Sequence, residues 1–207
     1  MDENGKNGYA QIYLDLVRQL ATFDLSGNAA NLGLSVNDDG SVTVKFFERN
    51  YLVDSEGVWP LDGRPVSVNH LSLVAHYAMS PGLGEPSGQY LPLARLTGSI
   101  EGSGSYERDT VCTPLLSKFG DQPELEAAIA AIGGAPAGRD PSGGLAWIFR
   151  PFPKVVLKLL FHEPTEEFPA EYRLLFDSAA TRFVAFEALG FLTGIFVSEL
   201  CGAHKSQ

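Results

Sequence analysis

A chain of 207 residues, 44% hydrophobic and 19% charged, is long enough to bury a core and too apolar to be disordered. Its formal net charge of −10 repels phosphate backbones and anionic membrane surfaces, and no Lys/Arg cluster overrides that, so neither nucleic acid nor membrane is an expected partner. The polar N-terminus MDENGKNGYAQ carries no export signal, and two cysteines make no disulfide framework, so reduced thiols in a cytoplasm are expected.

The first element is a helix. Tyr9, Ile12, Tyr13, Leu16, Val17 and Leu20 recur at steps of three and four, which puts them on one face. The period then changes to short β-type runs across 33–54. Asp38-Asp39-Gly40 reads as a hairpin turn and Glu48-Arg49-Asn50 as a second. A short run over 58–61 precedes the turn Asp62-Gly63-Arg64-Pro65. Residues 67–79 return to helix, with Ser67 as N-cap and Pro81 just past the end.

Residues 81–108 are rich in Gly, Pro and Ser, interrupted by an apolar run over 90–96. The run GSIEGSGSYERD (98–109) lacks phosphate-loop spacing and reads as a surface loop. Two helices are expected over 109–119 and 123–132, the second capped by Asp121 and stopped by Gly133-Gly134. The segment APAGRDPSGG (135–144) reads as a loop. Strands follow over 145–149, 155–162 and 172–176. A last helix spans 185–200, with Phe186, Leu189, Phe196, Val197 and Leu200 on its apolar side and Gly202 as its stop. Glu187 and Glu199 interrupt this segment, so it reads as amphipathic and not as a membrane span.

Strands come in adjacent runs and do not alternate regularly with helices. The expectation is one α+β domain over 1–207 with flexible ends at 1–8 and 203–207. Its sheet or sheets are largely antiparallel or mixed, packed by N-terminal, central and C-terminal helices.

The candidate site is the stretch LLFHEPTEEFPAEYRLLFD (159–177), where His162, Glu163, Glu166, Glu167, Glu171 and Asp177 sit between two apolar runs. Alternation sends Val155, Leu157, Leu159 and Phe161 to one face of a strand and Lys154, Val156, Lys158, Leu160 and His162 to one that is at least partly wet. The nine-residue connection EPTEEFPAE holds two prolines and four glutamates, as a solvated hairpin tip does. The competing reading is a hard, oxygen-rich metal site with one imidazole, built from His162, Glu163 and Glu166 or Glu167. His70 and His76, six apart on a helix, point to different faces, and the pair Cys201/His204 lacks the further ligands zinc requires. Cys112, with no His or acid beside it in sequence, reads as an inert buried thiol.

The β-run ending NYLVDSEG, the helix VSVNHLSLVAHY, IGGAP and above all KVVLKLLFHEPTEEFPAEYRLLFDSAATRF resemble a prokaryotic domain-of-unknown-function family common in anaerobes. The likeness runs from about Tyr9 to Leu200. Glu163, Glu166, Glu167, Phe168, Pro169 and Asp177 match its pattern, whereas His162, Pro164 and Thr165 stand where relatives carry Trp, Gly and Asp. Some relatives are labelled iron–sulfur or corrinoid-linked, which implies a metallo- or corrinoid-protein partner for a binding or accessory domain. Two cysteines cannot hold a four-cysteine cluster, so no cofactor is expected within this chain. The alternative function is a metal-dependent hydrolase, or similar small enzyme, on the acidic hairpin of 162–177.

Overall fold

A computed structural model describes residues 3–96, 103–119 and 122–202. It holds two antiparallel sheets in an α+β arrangement. The elements run α1 (Glu3–Leu20), α2 (Leu25–Leu32), β1 (Ser35–Val36), β2 (Val42–Phe46), β3 (Arg49–Asp54), β4 (Gly57–Pro60) and α3 (Val68–Ala78). Then come β5 (Tyr90–Pro92), α4 (Ser103–Glu107), a π turn (Arg108–Cys112), α5 (Thr113–Lys118), α6 (Gln122–Ala131), β6 (Ala135–Arg139), β7 (Leu145–Phe152), β8 (Val155–His162), β9 (Glu171–Asp177) and α7 (Phe186–Gly202). The first sheet is a meander in the order β1-β2-β3-β4; the second has the order β5-β9-β8-β7-β6.

Local chemistry accounts for most of these elements. Ser67 caps α3 as expected, its side chain accepting from the His70 N–H. Residues 25–32, unassigned by periodicity alone, form α2 because Asp24 accepts from the Gly27 N–H at 2.9 Å and Gly33 closes the far end at φ +70°. The second hairpin turn lies at Phe47-Glu48, one residue earlier than the polar trio Glu48-Arg49-Asn50 suggests. Phe47 takes φ +50° there, and its N–H donates to the Pro151 carbonyl at 2.8 Å. A contact to the other sheet thus decides the turn.

Three further expectations need correction. The segment over 135–139 is a strand, not a loop. Pro136 and Gly138 discourage strands in a sheet centre, but β6 is an edge, exposed along its length and bulged between Pro136 and Arg139. The helix expected to begin at 109 begins earlier, because α4, the π turn and α5 run on from Ser103; residues 97–102 and Asp121 lie outside the described residues. The first helix buries only part of its expected face: Leu16 and Leu20 are buried, while Tyr9 and Ile12 are exposed. The expected ends over 1–8 and 203–207 fall partly on residues outside the description.

One hydrophobic cluster runs through both sheets and the helices between them. At its centre Tyr77 stacks on Phe152 (4.2 Å between ring centroids) and Phe152 on Phe46 (4.5 Å), tying α3, the second sheet and the first. The Tyr77 hydroxyl donates to the Leu32 carbonyl at 2.7 Å and accepts from the Lys154 N–H at 3.1 Å. Helix α7 buries Leu189, Phe196 and Leu200 as expected, with Phe196 edge-on to Phe149 of β7; Phe186 is only half-buried. Among the described residues no helix is long and apolar enough to cross a membrane.

Candidate functional site: the cleft beside the acidic hairpin

Strands β8 and β9 pair antiparallel from Leu157↔Phe176 to His162↔Glu171, so the acidic stretch is the tip of a hairpin. Thr165 folds that tip. Its hydroxyl accepts from the N–H groups of Glu167 (3.3 Å) and Phe168 (3.1 Å), and its own N–H donates to the Phe168 carbonyl. Glu166 and Glu167 are exposed, and Glu163 reaches Arg139 on the edge strand at 3.5 Å, an exposed pair of small energetic weight. His162 is half-buried, its imidazole beside Gly144 at the start of β7, where a Cβ would come within 2.9 Å of the ring. Among the described residues no three His, Cys, Asp or Glu side chains converge as a metal ion requires.

Asp177 stands apart from these acids. It is 1% exposed at the far end of β9, where it accepts from the N–H groups of Ser87 (2.9 Å), Gly88 (2.7 Å) and Ala179 (2.8 Å) and from the Ser87 hydroxyl (3.0 Å). Burial pushes its carboxyl up, but these donors together outweigh burial and hold it below the usual carboxylate range. Its role is to pin the loop before β5 to the sheet. That clamp sets β5 beside β9 and so builds one wall of a cleft.

The face of β8 expected to be partly wet is instead largely covered, with Val156 and Leu160 buried. Lys158 on this face is ion-paired with Asp140 and lies 5.4 Å from the Tyr90 ring centre. The Lys158 ammonium, with the Ser142 N–H and hydroxyl, drives the Asp140 carboxyl far below its ordinary range. The aliphatic stem of Lys158 can cover apolar neighbours while its charge is met, which alternation in the sequence does not reveal.

The cleft has a volume of about 1210 Å³ and lies between the hairpin tip, the end of β5 and the π turn. Leu91, Pro92, Leu116 and Phe168 form apolar wall, with Phe168 68% exposed. Arg95, Arg108 and Arg173 bring positive charge against Glu107, Glu163 and Glu171. The π turn inserts one extra residue per turn, and such insertions recur at functional sites. It presents Arg108 and Cys112 to the cleft, with Glu107 immediately before it. The Cys112 thiol is half-buried and accepts from the Tyr172 N–H at 3.4 Å. Both cysteines are free.

Glu107 is the unusual group here. One of its carboxylate oxygens is buried and, among the described residues, has no hydrogen-bond partner. Burial pushes its carboxyl up, opposed by the Arg173 guanidinium and by a hydrogen bond from the Leu174 N–H. A buried acceptor left open is costly, and the residue that carries it lines the cleft. Sequence reading passed over Glu107 because it sits within a Gly- and Ser-rich run; neither the π turn nor the burial has a signature in residue types.

Residues 24–199 match the model of a family described as a domain of unknown function, DUF3786. The chain belongs to this family. The match takes in both sheets, the acidic hairpin, the cleft and nearly all of α7, so the DUF3786 region contains the whole candidate site. No curated protein and no solved structure matches the chain.

Proposed function

We propose that this protein is a non-catalytic binding or accessory domain whose ligand-facing surface is the cleft beside the acidic hairpin. The observation that carries this reading is the open, buried oxygen of Glu107 in a half-apolar concavity rimmed by three arginines. Such a lining suits an amphipathic group that supplies acidic or polar atoms to the arginines. Among the described residues the Cys112 thiol of the cleft accepts from the Tyr172 N–H and is not hydrogen-bonded to a base. A metallo- or corrinoid-protein partner in a prokaryotic cytoplasm belongs to the same proposal and rests on the resemblance given above. The alternative of a metal-dependent hydrolase would have to work with hairpin acids that diverge into solvent and an Asp177 whose oxygens are already occupied.

The test is amide NMR on the whole chain with a library of small amphipathic fragments. Saturable shifts clustered on residues 107–116 and 162–173, weakened by Glu107→Gln, are expected. Shifts that scatter over the surface, or that ignore Glu107→Gln, overturn the assignment. Adding magnesium, manganese, calcium or zinc should leave the unfolding midpoint unchanged. A saturable rise that Glu163→Gln abolishes would move the reading to the hydrolase.

A further inference from the structure

The arginines and glutamates that line the hairpin cleft are equal in number, but they are not equally engaged. Glu163 is met at 3.5 Å by Arg139, which stands on the edge strand outside the lining. Glu107 is faced by the Arg173 guanidinium and accepts from the Leu174 N–H, so its charge is answered within the wall. Arg95 and Arg108 are exposed, and among the described residues their guanidinium groups have no ion-pair or hydrogen-bond partner. Glu171 is the lining acid left without an ion pair among the described residues. Two free guanidinium groups therefore stand against one free carboxylate, on a chain whose net charge is −10.

The two arginines come from different elements. Arg95 closes the 3-10 turn Leu93–Arg95 that follows β5. Arg108 opens the π turn, where the Thr113 N–H donates to the Arg108 carbonyl five residues back. A guanidinium presents paired N–H donors that fit the two oxygens of a carboxylate. The apolar part of the lining is accessible as well. Phe168 is largely exposed, and Leu91, Pro92 and Leu116 are half-buried.

The charge balance discriminates among ligands. A cation would meet two unpaired guanidinium groups. A dianion would bring two negative charges to a site with an excess of one positive charge, beside Glu171. A single negative charge fits, and an apolar body behind it covers wall that a bare anion would leave in water.

We propose that the hairpin cleft binds an amphipathic monocarboxylate, one carboxylate carried on an aliphatic or aromatic body. Arg95 and Arg108 hold the carboxylate, and the body lies against Phe168, Leu91 and Leu116. The inference rests on the reading of this cleft as the ligand-facing surface and adds the class of ligand.

The experiment uses the whole chain with octanoate as probe and with octanol, octylamine, octyl phosphate and acetate as counterparts. It is run near pH 8, where a phosphate monoester carries about two negative charges. Calorimetry gives affinity, and amide NMR gives location. Octanoate should bind saturably, shift amides within 107–116 and 162–173, and exceed each counterpart by about fivefold or more. Arg95→Gln and Arg108→Gln alter exposed side chains without partners, so both variants should fold normally. Each should weaken octanoate several-fold and leave octanol unchanged, and the double variant should abolish the preference. Phe168→Ala should weaken octanoate and octanol alike. Any counterpart that binds the cleft as tightly as octanoate overturns the carboxylate assignment and leaves the cleft as a binding surface. A preference for octanoate that survives the double substitution does the same. Absence of saturable shifts from every probe at millimolar concentration overturns this inference and the binding reading of the cleft together.

Discussion

Replacing Asp177 by alanine tests the fold and the site together. The carboxylate accepts four hydrogen bonds, three of them from backbone N–H groups. Ser87 and Gly88 are exposed and can turn to water, so each loses about 0.5–1.5 kcal/mol. Ala179 is buried, and its stranded N–H costs about 1–3 kcal/mol. The sum is roughly 4 kcal/mol, which for a chain of this length lowers Tm by roughly 8–16 °C. The carboxyl is depressed in the fold, so its stabilisation is present above the unfolded value near 3.9 and is lost as pH falls through the folded one. The gap between wild type and Asp177→Ala should therefore narrow below about pH 4. Calorimetric scans at neutral and acid pH measure it. Hydrogen exchange at Tyr90–Pro92 should quicken in the variant, since the clamp holds β5 in the sheet. A midpoint within about 2 °C of wild type at neutral pH, or a gap that widens in acid, would refute the clamp.

Four other outcomes follow from the same structure. Single changes of Glu166 or Glu167 to glutamine should move stability by no more than about 0.5 kcal/mol in urea unfolding, because both side chains are solvated. Tyr77→Phe should cost about 1–3 kcal/mol by the same assay, since it unpairs the Leu32 carbonyl and the Lys154 N–H. Burial holds the phenols of Tyr13, Tyr51, Tyr77 and Tyr172 up, so ultraviolet titration of the native protein should show fewer ionised tyrosines near pH 11 than the same chain in denaturant. Stability should then fall as pH rises beyond about 10, the ordinary phenol value. Burial also pushes the Cys201 thiol up, so iodoacetamide at pH 8 should alkylate it more slowly than in the unfolded chain, read by mass spectrometry.

The two longest strands of the second sheet, the Ser67 cap and the last helix were legible because each depends on near neighbours in sequence. A short apolar run broken only by Lys158 and His162 marks Val155–His162, a hydroxyl before an apolar helix marks α3, and two acids inside an apolar run mark α7 as amphipathic. The acidic tip, too, is what its prolines and glutamates say: a turn facing water. The rest was decided by distant partners. Asp177 reads as one more acid of the hairpin until Ser87 and Gly88 fold over it from 90 residues away. Lys158 reads as a wet face until Asp140 and Tyr90 close on it. Glu107 and Tyr51 carry no sequence signal, because an unsatisfied buried atom is defined by the absence of partners, which only packing determines. Local pattern thus settles which elements form. Which of their polar atoms are met and which stay open depends on contacts between residues far apart in the chain, where residue type alone specifies neither distance nor burial.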